Sequence, residues 1–216
     1  MADFERLRLG MVDGQIRTAD VTDHRVLNAF LTVPREDYVP QTRRDIAYLD
    51  ARAPLGVPGR ATLDPMTLAK LVQFADPQDE ERVLVVGCGL GYSVAIFAEL
   101  ARTIVGLEVE PTLAVVLSDK FAGRPGVRIV EGPLPQGAAI DAPYDLIFCD
   151  GSVAAGLEGL GRQLKPAGRL VAIAGEGRST KATAFRRAGE GLSSTTAFDA
   201  SGPALPGFER EEAFAF

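Results

Sequence analysis

Over the first eighty residues the apolar positions recur at helical spacing. Phe4, Leu7 and Met11 share one side of a first helix, and Val26, Leu27, Phe30 and Leu31 form the inner face of a second, with Thr22 as its cap. The run Val33-Pro34-Arg35-Glu36 closes that second helix, because a residue before proline is pushed out of the α region. A loop rich in Pro and Gly follows (Pro54, Gly56, Pro58, Gly59). Asp64-Pro65 then reads as a cap and first helical residue, opening a third helix with Leu68, Leu71 and Val72 inward.

From residue 82 the period changes. Arg82–Val86 is a short apolar run that leads into Gly87-Cys88-Gly89-Leu90-Gly91 and a helix through Leu100. Further strands are expected at Thr103–Glu108, Val127–Val130, Tyr144–Asp150 and Gly168–Ala174, with helices opening at Pro111 and spanning about 153–163. Apolar runs alternating with helical stretches mean stacked β-α-β units around a mostly parallel, doubly wound sheet, an α/β fold. The tail alternates more loosely, and Ala182–Arg187, Leu192–Phe198 and Glu212–Phe216 read as later, partly antiparallel strands, with Phe214 and Phe216 on one face. One domain is expected: residues 81–216 as the core, with residues 1–80 as a helical elaboration packed on it.

Composition removes several function classes. The chain has 216 residues, with 23 Lys+Arg against 29 Asp+Glu and a net charge of −6, which argues against a nucleic-acid backbone as ligand. One histidine, His24, and two cysteines, Cys88 and Cys149, argue against a zinc site and against Ser-His-Asp hydrolysis. The start carries Asp3, Glu5, Arg6 and Arg8 rather than an apolar leader, and the stretch from Val83 to Ala98 is glycine-broken and too short to span a bilayer. A soluble cytoplasmic protein, with no membrane and no nucleic-acid partner, is the expectation. Cys88 and Cys149 read as small core residues, and His24 as a surface or core-edge residue of the second helix.

The chemistry concentrates at the first strand's end. In doubly wound sheets ligands sit beyond the carboxyl ends of the strands, where strand order reverses. Gly87-x-Gly89-x-Gly91 has Tyr92 where a dinucleotide site needs its third glycine, so the turn lacks the pyrophosphate cradle. Glu108, 21 residues after Gly87, closes the second strand, where a carboxylate can accept from both hydroxyls of a ribose. The order of strand, glycine turn, helix, strand and terminal Glu points to a nucleoside-type cofactor, with the glycine spacing favouring S-adenosylmethionine over NAD. The plainer reading is a turn that only packs strand on helix.

Beyond that pattern, the chain resembles the protein-L-isoaspartate O-methyltransferase family of class I S-adenosylmethionine-dependent methyltransferases. The resemblance rests on Met11-Val12-Asp13 with Gln15-Ile16-Arg17, on Val33-Pro34-Arg35-Glu36 with Tyr38-Val39-Pro40, on Ala47-Tyr48-Leu49-Asp50 and Pro54-Leu55-Gly56, and on the glycine loop. Ala142-Pro143-Tyr144-Asp145 and the run from Gln163 to Val171 extend it. It implies a Rossmann-like sheet with a reversed C-terminal strand, a cytoplasmic monomer, and methylation of isoaspartyl carboxylates in damaged peptides or proteins, leaving S-adenosyl-L-homocysteine. It places cofactor contacts at Gly87, Cys88, Gly89, Gly91, Glu108, Val109, Gly132 and Pro133, and the acceptor loop at Thr62, Leu63 and Asp64.

Two departures stand out. Where the family carries Gly-Gln-Thr-Ile-Ser-Gln-Pro, this chain reads Gly59-Arg60-Ala61-Thr62-Leu63-Asp64-Pro65, so the acceptor serine is replaced by Leu63. Where the family carries Gly-Asp-Gly, the chain reads Gly132-Pro133-Leu134, which leaves adenine to Glu131 or to backbone groups. A carboxylate acceptor is ionised at neutral pH, so in-line methyl transfer needs orientation rather than a base, and losing the serine slows the reaction without forbidding it. Asp64 reads as a helix cap, Arg60 as a solvated loop arginine or an anchor for an anionic acceptor, and Thr62 as a substitute hydroxyl. The alternatives are a homologue with another acceptor and a cofactor-binding interaction module without activity.

Overall fold

The sheet is built outward from a strand that no side of which meets water. In the computed structural model, which describes residues 3–175, 177, 179–189 and 191–210, β1 (Arg82–Val86) buries Val83, Leu84, Val85 and Val86 completely, as a strand covered on both faces of a parallel sheet must. It pairs in parallel with β2 (Thr103–Glu108) on one side and with β4 (Tyr144–Val153) on the other. With β3 (Val127–Glu131), β5 (Leu164–Ala174), β6 (Lys181–Ala188) and β7 (Gly191–Asp199), the order is β3-β2-β1-β4-β5-β6-β7. The direction of winding reverses between β1 and β4, which opens a crevice at their carboxyl ends. The register sets Val86 beside both Leu107 and Cys149, so Gly87, Glu108 and Asp150 emerge together.

β5 and β6 pair antiparallel, as do β6 and β7, so the reversed strand of the sequence reading is the first arm of a C-terminal meander. The strand expected at 212–216, with Phe214 and Phe216, lies outside the described residues.

The two faces of the sheet have separate cores. Val83, Val85, Phe148 and Ile173 pack with Met11, Phe30, Leu63, Leu68 and Phe97, from α1 (Phe4–Met11), α2 (His24–Thr32), the loop before α3 (Pro65–Ala75), α3 itself and α4 (Tyr92–Phe97). Leu84, Val86, Leu107, Ile147 and Leu170 face the opposite way, against Leu134, Leu160, Leu205 and Phe208. α5 (Pro111–Lys120) begins at Pro111 as the missing proline N–H predicts.

Several local expectations are corrected. Leu7 is 40% exposed although Met11, one turn on, is buried, and a π turn over Val12–Ile16 buries Val12 and Ile16. α2 is capped by Asp23, which accepts from the Arg25 amide at 2.8 Å, while the Thr22 amide donates to Gln73. α4 stops at Phe97, short of Leu100. The helix expected over 153–163 shrinks to α6 (Glu158–Gly161). β4 runs on to Val153 because Ser152 exchanges backbone hydrogen bonds with Pro203 and Leu205, and the Ala154 and Ala155 amides both bond the Phe208 carbonyl. Glycines at 151, 156, 159 and 161 weaken the helical alternative. Among the described residues no helix is long and apolar enough to cross a membrane.

Candidate functional site

The glycine turn leaves β1 with Gly87, Gly89 and Gly91 at φ +75, +57 and +93, values that side-chain-bearing residues rarely adopt. The Gly87 amide is tied to the Leu107 carbonyl, fixing the turn against the end of β2. There the Glu108 side chain is fully buried. Its Oε1 accepts from the amides of Val109 (3.0 Å) and Glu110 (3.1 Å), and its Oε2 from the Gly89 amide (2.7 Å) and from Arg60 Nη2 (2.6 Å).

The Arg60 contact corrects the sequence reading. Arg60 is not a solvated loop residue; it is 3% exposed, and Nη2 also donates to the Gly87 carbonyl at 3.1 Å. Its exposed-looking context (Gly and Pro on either side) conceals a partner 48 positions along the chain. Among the described residues, its Nε has no hydrogen-bond partner.

The remaining site residues separate into those lining a cavity and those used for structure. The cavity in front of the turn is lined by Arg35, Thr62, Leu63, Cys88, Tyr92 and Asp150, among others, and offers about 10 Å³, room for about one water. Thr62 Oγ1 accepts from Arg35 Nη2 (3.2 Å) and from the Ala53 amide (3.0 Å), so both lone pairs are engaged while its O–H remains a donor. Leu63 is 1% exposed and belongs to the core, so the family's serine position is closed over by an apolar side chain. Asp64 caps α3, accepting from the Thr67 amide at 2.8 Å. Val109 contributes its amide to Glu108, the Gly132 amide bonds the Glu108 carbonyl, and Pro133 leads into buried Leu134. Glu131 is exposed beside them, and His24 is exposed at the start of α2.

Charged and ionisable groups colour this cavity and its surroundings. Asp150 ends in the crevice, where Ser93 Oγ donates to its Oδ2 at 2.6 Å. Burial pushes its carboxyl up to about 6, with the negative Glu108 adding to the rise and Ser93, Arg60 and Arg35 opposing it. Arg35, fully buried, donates to the carbonyls of Ala47 and Leu63 and lies 4.8 Å over the Tyr92 ring. Burial pushes the Cys88 thiol well up, helped by Glu108 and Asp150, and pushes Cys149 to about 12, so neither supplies a thiolate. Sequence reasoning passed over Asp150 and Arg35 as site residues; the signal for Asp150 was its place at the end of the strand beside β1.

An adenosine group resting on this turn needs acceptors on Glu108 and space before the glycines. The residue types match, but the arrangement does not admit it. A carboxylate has about four acceptor positions, and four donors occupy them. A Cβ placed on Gly87 would lie 2.5 Å from a Leu205 methyl, and one on Gly89 would lie 2.6 Å from a Leu55 methyl. The cavity that remains is far below the roughly 300–1,000 Å³ usual for a small-molecule pocket.

Comparison with known proteins places the chain in a family. The profile of the protein-L-isoaspartate(D-aspartate) O-methyltransferases matches residues 9–200. A protein-L-isoaspartate O-methyltransferase from Methanoculleus marisnigri is 36% identical over 172 residues, covering 79% of this chain and 78% of the relative. One from Rhodopseudomonas palustris is 37% identical over 167 residues, covering 74% of each. The fold is shared with a Plasmodium falciparum structure described as a protein-L-isoaspartate O-methyltransferase in complex with S-adenosyl-L-homocysteine. That likeness has a TM-score of 0.77 and 17% identity, over 95% of this chain and 99% of the other. The chain belongs to the protein-L-isoaspartate(D-aspartate) O-methyltransferase family, a family of S-adenosylmethionine-dependent enzymes.

Proposed function

We propose that this chain is an S-adenosylmethionine-dependent protein carboxyl methyltransferase that esterifies isoaspartyl residues of damaged peptides and proteins. The observation that carries this reading is the family match across residues 9–200, which spans both the glycine turn and the acceptor loop. Gly87, Cys88, Gly89, Gly91, Glu108, Val109, Gly132 and Pro133 would form the cofactor side once the side chains now crowding the turn draw back. The cofactor supplies an electrophilic methyl group when bound.

The acceptor side lies at Thr62, Leu63 and Asp64. An isoaspartyl carboxylate arrives already ionised, with a pKa near 4, so the chain's own task is to orient it and exclude water. Thr62 has an O–H free to donate, and Arg35 behind it holds the hydroxyl in place and supplies positive charge. Leu63 leaves the acceptor one hydrogen bond short of the family arrangement, a loss of about 1–3 kcal/mol if that oxygen is buried. Asp64 is turned away from the acceptor by its capping bond. Two buried free cysteines support a reducing, cytoplasmic setting, and a monomer is the assembly we propose.

The test is transfer of labelled methyl from S-adenosylmethionine to an isoaspartyl peptide, beside the same peptide with ordinary aspartate. Alkali-labile label on the first and none on the second is expected. The buried Leu63 is the observation that favours a second reading, a family member with another acceptor; label that appears in a cell extract but never on the isoaspartyl peptide would select it.

A further inference from the structure

We propose that the loop 54–61 is a plug on the cofactor seat, pinned by Arg60, and that a cofactor binds only by drawing Arg60 off Glu108. The inference rests on the cofactor reading above and concerns what regulates access to that site.

The loop is one small unit. Pro54 bridges Ala61, the Leu55 amide donates to the Arg60 carbonyl at 3.0 Å, and the Arg60 amide donates to the Val57 carbonyl at 3.0 Å. Its tip is open: Gly56 and Gly59 have nothing within 4 Å of a Cβ position, and Pro54, Gly56, Pro58 and Gly59 are exposed. Only two of its side chains are buried, Leu55 and Arg60. Those two, with Leu205 against Gly87, occupy the places a nucleoside needs. Leu55 fills the space before Gly89, and Arg60 takes the acceptor position on Glu108 Oε2 together with the Gly87 carbonyl.

Of the four donors on Glu108, three are backbone amides of the turn and of the chain just after β2, which cannot leave without dismantling the site. Arg60 is the donor that can leave, and its Nε, without a hydrogen-bond partner among the described residues, is satisfied incompletely in the buried position. Moving the loop as a unit removes both side chains at once. Because a closed population lowers apparent affinity by the fraction that is open, the native chain binds cofactor more weakly than a variant in which Arg60 cannot pin the loop.

The experiment is calorimetric titration of the full chain with S-adenosyl-L-homocysteine, comparing native protein with Arg60→Gln and Leu55→Ala, each checked for a cooperative melt. The expected result is binding tighter by about tenfold or more in either folded variant. The sequence has no tryptophan, so Val57→Trp adds a single reporter at the loop tip, and its emission is expected to shift on addition of S-adenosyl-L-homocysteine. Affinity unchanged in both variants, with clear binding by native protein, overturns the plug and leaves the cofactor reading intact. Weaker binding by Arg60→Gln also overturns it, since Arg60 would then belong to the bound state. No binding by any folded form overturns the plug and the cofactor reading together.

Discussion

Removing the Glu108 carboxylate perturbs the site more than removing its arginine partner, and the two losses can be worked out separately. In Glu108→Ala the amides of Gly89, Val109 and Glu110 lose their acceptor, and the Arg60 guanidinium is left buried without a counter-charge. Breaking a buried ion pair from one side costs about 3–5 kcal/mol. For a chain of this size each kcal/mol moves Tm by about 2–4 °C, so the melt should fall by roughly 6–20 °C. In Arg60→Ala the carboxylate keeps three amide donors and the exposed loop tip admits water, so the loss is nearer the about 1–3 kcal/mol of one unsatisfied buried group. Calorimetric melts of native protein, both single variants and the double variant at neutral pH measure this. The double variant should lose less than the sum, because the second removal takes away a charge the first left stranded. Equal losses from the two single variants, or a Glu108→Ala melt within about 2 °C of native, would refute the view that this carboxylate holds the turn.

Three further expectations follow from the same geometry. Asp64→Ala removes the cap of α3, whose Thr67 amide loses its acceptor, and should cost about 0.5–2 kcal/mol, read as a lower Tm; an unchanged melt would count against the cap. Asp150 has a folded-state pKa raised from 3.8 to about 6, so the folded protein holds the proton more tightly than the unfolded chain. Its stabilising contribution is complete below about pH 4 and lost as pH rises through about 6, so Asp150→Asn, which keeps an acceptor for Ser93, should raise stability by about 3 kcal/mol at pH 8 and not at pH 4; a pH-independent difference would count against it. Leu63→Ser should lose about 2–5 kcal/mol of stability by emptying a core position while raising transfer to an isoaspartyl peptide, and a variant that stays folded without gaining rate would remove residue 63 from the acceptor site.

The framework of the fold was legible because its strands are buried on both faces. Arg82–Val86 and Thr103–Glu108 read as near-continuous apolar runs, and the structure has them at those bounds. The stretch 153–163 misled because its apolar residues suit either a helix or a covered strand, and contacts from residues 203–208, distant in sequence, decide the matter. Leu7 misled because helical spacing does not say how much of a face is covered: in α1 burial is complete only at Met11 and continues into Val12 and Ile16 of the π turn. At the site, the turn and Glu108 could be found from order and spacing alone. Arg60 could not, since an arginine between glycine and alanine in a Pro-rich loop carries no local sign of burial, and its partner is supplied only by tertiary folding. Leu205 was hidden for the same reason: its closeness to Gly87 depends on the Ser152 hydrogen bond that draws the chain back across the sheet end.

A crystal structure of the full chain grown with excess S-adenosyl-L-homocysteine tests the central claim most directly. The ribose hydroxyls should sit on Glu108, with the Arg60 guanidinium withdrawn and Leu55 and Leu205 moved off the glycine turn. Crystals at saturating ligand that retain the Arg60–Glu108 contact, with no adenosine at the end of β2, would contradict it.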